Sequence, residues 1–138
     1  MRWRDQRAGA RLLCNPPIFD LRGNHLMTPD LLDAEAGVIG QYDGIVHDRT
    51  RVRRRDLEVE ERCRGLGLEV VTMLSADLRD LRSFDGRLAT AYRRAGQRRP
   101  TPEWTLDQPW WWIDTSTVDR RRALGDEDRR IWLRRQVA

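Results

Sequence analysis

The residues that could do chemistry gather between Thr28 and His47. Asp30, Gln41 and Asp43 are polar side chains set inside otherwise apolar runs. Leu31 and Leu32 end the first run, Asp33 to Gly37 form a polar turn, and Val38 and Ile39 start the second. Side chains alternate along a strand, so Ile39, Gln41 and Asp43 share one face, and Asp30 shares one with Thr28 and Leu32. A turn centred on Glu35 and Ala36 sets Asp30 opposite Gln41 and diagonal to Asp43. Diagonal cross-strand neighbours lie roughly 7–8 Å apart, close enough for two carboxylates to reach one hard cation. Mg²⁺ is held in this way, by one or two carboxylates with water and substrate phosphate completing its shell. The same pattern also fits polar residues on the wet face of a two-stranded ribbon, and alternation alone does not choose between the two.

The densest charge follows at once. Asp48 to Arg55 contains Arg49, Arg51, Arg53 and Arg54 and leads into a helix of about residues 51–65. Val52, Val59, Cys63 and Leu66 fall on one face of that helix at helical spacing, and Gly65 and Gly67 stop it. Charges of both signs on the remaining surface fit a solvated helix with intrahelical ion pairs. The four arginines beside an acidic site also fit contacts to a nucleic-acid backbone.

Positioning these residues falls to the surrounding elements. Pro16-Pro17 breaks any helix, and Ile18–Leu21 reads as a first strand. Arg22-Gly23-Asn24 is a tight turn, since Gly and Asn tolerate positive φ. A second strand starts at His25, and residues 37–43 make a third, giving an antiparallel meander. Residues 1–12 are Arg-rich and read as the end of a helix. Leu68 to Leu74 is a β-branched run suited to a strand buried on both faces, returning parallel to a neighbour after the helix. Phe84, Leu88, Ala91, Tyr92 and Ala95 mark an amphipathic helix that ends at Gly96. A Pro-rich linker from Arg98 to Gln108 precedes Trp110-Trp111-Trp112, and a helix over 118–135, broken near Gly125, closes the sequence. Ser116 or Thr117 would cap its first part and Asp126 its second. Consecutive tryptophans cannot all face one core, so one or two should dock the tail on the sheet. The others remain for a protein partner or for stacking on unpaired bases.

With 138 residues, the chain suits one domain, 1–97, plus a helical tail, 98–138, packed on it. A 39% hydrophobic share against 35% charged implies a small core and a heavily solvated surface. All 26 basic residues are Arg, and the net charge of +4 suits a polyanionic partner. Cys14 and Cys63 lack metal spacing and read as small buried hydrophobes in a reducing compartment. No apolar run approaches the roughly 18 residues a membrane helix needs, and the N-terminus has no apolar signal core. The expected location is cytoplasmic, with no membrane partner.

Pro29-Asp30, followed by Gln41-Tyr42-Asp43-Gly44 and His47, resembles the PD-(D/E)XK nuclease superfamily. The likeness is to small actinobacterial proteins related to very-short-patch-repair endonucleases, where an E-x-D-G-x-x-H pattern follows a P-D strand. It runs from about Leu13 to Gly96 and includes the Arg-rich helix and the Gly67-Leu68-Glu69-Val70-Val71-Thr72 strand. The resemblance implies a restriction-endonuclease-like α/β fold, a mixed sheet in the order β-β-β-α-β-α. A leading helix is expected in truncated form, because the sequence starts too late to hold it whole.

The resemblance further implies a Mg²⁺-dependent, or other divalent-cation-dependent, DNA endonuclease. Asp30 and Asp43 would be metal ligands, Gln41 would stand where relatives carry an acid, and His47 would be an active-site histidine suited to proton transfer. Arg49, Arg51, Arg53 and Arg54 would bind DNA. Asp56 matches the acid of the family's D-x-x-R helix, but Val59 replaces the arginine. His25 reads as structural. Two alternatives stay open. One is an inactive DNA-binding or regulatory module. The other is a protein-interaction partner, using the Trp-rich tail, in a toxin–antitoxin or phage-defence system.

Overall fold

Three prolines decide how the first part of the chain is arranged. The computed structural model describes residues 12–43, 49–98 and 101–137. Strand β1 (Leu12–Cys14) pairs antiparallel with β4 (Leu31–Asp33), and β2 (Ile18–Asp20) pairs antiparallel with β3 (His25–Met27). Leu12↔Asp33 and Ile18↔Met27 obey the same offset, so 12–20 and 25–33 form one long hairpin. Its ladder is interrupted where that offset brings Pro16 to Pro29. Proline has no N–H to donate, so pairing lapses there. Asn15 N–H still reaches Asp30 O at 3.1 Å across the break, and Asn15 takes φ 49°, a left-handed conformation that asparagine tolerates.

The consequence is two sheets instead of one. A four-stranded mixed sheet runs β1-β4-β5-β6, with β5 at Val38–Asp43 and β6 at Glu69–Leu74. A three-stranded sheet runs β3-β2-β7, with β7 at Trp104–Thr105. The expected meander keeps its pairing sequence, but its first two strands are each halved and shared between sheets. Leu12, expected at the end of a helix, begins a strand, and Trp104–Thr105, expected in a linker, pairs with Asp20 and Phe19. The expected β-β-β-α-β-α order is thus lengthened by two split strands and by β7.

Helix α1 (Arg49–Gly65) joins β5 to β6, which run parallel from Val38↔Glu69 to Asp43↔Leu74. A 3-10 turn (Ser75–Leu78) leads to α2 (Arg82–Gly96). Alternation along the strands splits the core in two. Leu32, Ile39 and Leu68 pack with Cys63, Val59 and Leu66 of the α1 segment, joined by Trp104. Val38 and Val71 point the other way, to Phe84, Leu88 and Ala91 of α2. Fully burying each large apolar side chain contributes about 1.5–3 kcal/mol, so both helices are held by a few residues at the expected spacing, although the side chain of Val52, expected on the same α1 face, lies outside what is described. The two cysteines are free. Cys63 is buried, but Cys14 is exposed, contrary to expectation, because it lies on the outer strand of the sheet.

The chain divides into two compact units, Met1–Asp107 and Gln108–Ala138. The division falls after Trp104, which is 9% exposed in the first unit's core. In the second unit, Thr117 caps α3 (Val118–Arg122) by accepting the Arg120 N–H at 3.2 Å, and α4 (Asp126–Val137) follows. Trp111 and Trp112 meet edge to face at 5.8 Å, while Trp110 is 96% exposed. No described helix is long and apolar enough to cross a membrane.

Candidate functional site

The β4–β5 turn fixes the register on which the site depends. Asp33 Oδ1 accepts the Ala36 N–H at 3.0 Å, and Gly37 N–H returns to Asp33 O at 2.8 Å. Gly37 sits at φ 69°, where a Cβ would come within 3.1 Å of Gly67 O, so glycine is required for both backbone and space. The resulting pairs are Asp33↔Val38, Leu32↔Ile39 and Leu31↔Gly40. One further step brings Asp30 across from Gln41, the alignment expected from a turn centred on Glu35 and Ala36.

Leu32 and Ile39 face the α1 side of the sheet, so Asp30, Gln41 and Asp43 continue that face beyond the core. Gln41 is half-buried, whereas Asp30 and Asp43 are exposed. Asp30 Oδ2 accepts the Tyr42 N–H at 2.7 Å, which pins this carboxylate to β5 and leaves Oδ1 outside that bond. Asp43 pairs with Leu74 at the carboxyl ends of two parallel strands, the edge where open α/β sheets place their ligands.

His47 lies outside the described residues. Arg49, Arg51, Arg53 and Arg54 occupy the first turns of α1, and their side chains also lie outside what is described. The first turn of α1 holds no acidic residue. Only residues 44–48 separate this helix from Asp43, so its positive end follows the carboxyl end of β5 closely in the chain.

No group of three or more His, Cys, Asp and Glu suited to a metal occurs among the described residues. That rules out a closed zinc-type cage built from them. Asp30 and Asp43 with the amide oxygen of Gln41 do fit the lesser demand of Mg²⁺, which keeps several waters.

Other carboxylates are engaged in holding the fold. Asp20 accepts from Asn24 Nδ2 at 2.9 Å and from the Asn24 and Arg22 N–H groups, and pairs with Arg62 at 3.3 Å. The Asn24 side chain, chiefly, holds its carboxyl below the usual 3.8. Asp77 receives the Leu74 N–H at 2.8 Å and pairs with Arg87, both of which lower its pKa. Buried Glu69 pairs with Arg98. His25, expected to be structural, bonds Thr28 Oγ1 at 3.0 Å beside the Phe19 ring.

Asp33 was missed as a structural residue. Its signal was an acid at the start of a turn, a position that favours bonding to the following backbone.

Comparison of the chain with family models, with curated proteins and with solved structures finds no match.

Proposed function

We propose that this chain is a metal-dependent DNA endonuclease of the PD-(D/E)XK, very-short-patch-repair-like type, with a weak metal site. One observation carries the reading: the β4–β5 register sets Asp30 across from Gln41, with Asp43 next on that face, at the carboxyl end of a parallel strand pair. The mixed sheet, whose halved strands still follow a meander–helix–strand order, supports a restriction-endonuclease-like core.

Asp30 and Asp43 would hold the cation, and Gln41 would add a neutral oxygen. When bound, the cation supplies orientation of the phosphodiester, ionisation of the attacking water and compensation of leaving-oxygen charge. The Tyr42 N–H binds one Asp30 oxygen at 2.7 Å, and the other would be the one offered to the cation. Arginines at the start of α1 would bind the DNA backbone, and His47 would take the proton of the attacking water.

Gln41 favours a second reading, an inactive DNA-binding module, because an amide replaces a charge that hard cations seek. Plasmid nicking with and without Mg²⁺ separates the two. Asp30→Ala and Asp43→Ala should each lower Mg²⁺-dependent nicking at least about 100-fold, the scale set by losing several kcal/mol of transition-state stabilisation. Wild-type rates in either variant would remove that residue from the site. DNA binding without any nicking would establish the inactive module, and neither would leave the protein-partner reading. Changing Arg49, Arg51, Arg53 and Arg54 together to Gln should flatten the slope of log K against log salt by about 0.9 per lost phosphate contact.

A further inference from the structure

Strand β6 ends its sheet: β5 pairs it on one side, and no described strand pairs it on the other. Alternate residues of a parallel strand address opposite edges. Glu69 N–H goes to Gly37 O, toward β5, so Val70, Thr72 and Leu74 address the outer edge. Two bonds agree: Thr72 O accepts from Arg87 at 3.2 Å, and Leu74 N–H donates to Asp77 at 2.8 Å. The Val70 N–H and C=O and the Thr72 N–H find no partner among the described residues.

This edge is the floor of a cleft of about 700 Å³. Glu60 and Arg64 of α1 form one wall, and Ser83, Gly86, Thr90 and Arg94 of α2 form the other. The α2 wall is built largely from small residues, and a Cβ on Gly86 would meet nothing within 4 Å. The edge is therefore recessed between two helices, with room above it for an extended backbone.

Charge distinguishes what could enter. Glu60 pairs with Arg64 at 3.3 Å, Glu69 with Arg98, and Arg87 with Asp77. Arg94 has no carboxylate partner among the described residues, so the unmatched charge in the cleft is positive. A second copy of the chain is a poor occupant. Two edges each recessed between helices would meet at their rims before the strands reached the roughly 4.8 Å of a sheet.

We propose that this cleft captures an extended segment of another protein as a fifth strand, with an acidic side chain directed to Arg94. Backbone bonds to Val70 and Thr72 would supply affinity, and the charge would supply preference. Arg87 would release Thr72 O and keep Asp77. The inference is independent of the nuclease reading.

The test titrates the full chain with fluorescein-labelled heptapeptides of alternating Val and Thr carrying one central Glu. Parallel titrations use the same peptides with Lys in place of Glu, and with alternate backbone nitrogens methylated. The Glu peptide should bind about tenfold more tightly than the Lys peptide, equivalent to about 1.4 kcal/mol. N-methylation should abolish binding on the register that meets β6. Arg94→Glu should reverse the preference, and Thr72→Pro should remove binding while leaving the pairing to β5, which does not use the Thr72 N–H. The proposal fails if no peptide binds below millimolar concentration, if both N-methylated registers bind as well as the parent, or if Glu and Lys peptides bind alike. Self-association that Thr72→Pro abolishes would also overturn it, by assigning the edge to a second copy.

Discussion

The two ends of the β4–β5 hairpin hold the same residue type in opposite circumstances. Asp33 faces the α2 side at 0% exposure, with Oδ1 on the Ala36 N–H and Oδ2 accepting the Tyr92 hydroxyl at 2.9 Å. Asp30, three positions earlier, faces the α1 side, exposed, with one oxygen on the Tyr42 N–H. Buried polar groups must be satisfied internally, so Asp33 is a structural residue. Asp30 keeps an oxygen in water, where a ligand can compete for it. The contrast separates a carboxylate that holds a turn from one that is free to act.

The largest effect should come from Asp33→Ala, which removes the carboxylate that accepts the Tyr92 hydroxyl and the Ala36 N–H. A loss of about 2–4 kcal/mol in urea unfolding is expected. A loss below about 1 kcal/mol would break the comparison, since Asp33 would then behave like a surface acid.

Asp77 extends the structural class and has a pH signature. Its folded pKa lies below 3.8, because the Leu74 N–H and Arg87 favour the charged form. Its stabilisation is complete above about pH 3.8 and is lost as pH falls through the lowered value. Wild type should thus be more stable than Asp77→Asn at pH 6, with the gap closing below pH 3.8. Urea midpoints measured across this range check it, and a gap that persists into strong acid would refute the assignment.

Asp30→Ala should cost only about 0.5–1 kcal/mol in the absence of metal, the worth of one exposed hydrogen bond. Any rise in Tm that Mg²⁺ produces in wild type should disappear. A destabilisation as large as that of Asp33→Ala would erase the difference between the two ends.

The smallest effect belongs to Gln41→Glu. A third carboxylate beside Asp30 and Asp43 should lower apo stability by about 0.2–1 kcal/mol through exposed like-charge repulsion. Added Mg²⁺ should more than restore it, because ligand charge strengthens hard-cation binding and binding stabilises the folded state. Titrating Mg²⁺ against Tm for both proteins reads this directly. No gain in metal affinity would mean that Gln41 points away from any cation.

One side of this contrast was visible in the sequence. The Asp30–Gln41 alignment came from alternation and the turn centre, and the observed register, continued one step past Leu31↔Gly40, agrees with it. The α2 face and its end at Gly96 came from apolar spacing. The role of Asp33 did not, because its partner Tyr92 lies 59 residues away. Spacing within a strand says nothing about which distant hydroxyl will sit above it. The exposure of Cys14 and the open edge of β6 escaped for the same reason: each depends on which strand ends the sheet.

Local chemistry thus determined the hairpin at the site, the end of α2 and the stripe from Val59 to Leu66, since turns and periodicity act over a few residues. Pro16-Pro17 was legible only as a helix breaker and Pro29 only as part of a P-D motif; that Pro16 and Pro29 would meet and interrupt one ladder was not. Where the freed half-strands would pair was decided only by tertiary structure. Residues 18–20 join β7 because Trp104 packs into the core with Ile18 and Leu68, bringing a distant segment to that edge. A missing N–H is a property of one residue, but the partner that closes a sheet is chosen by packing across the whole chain.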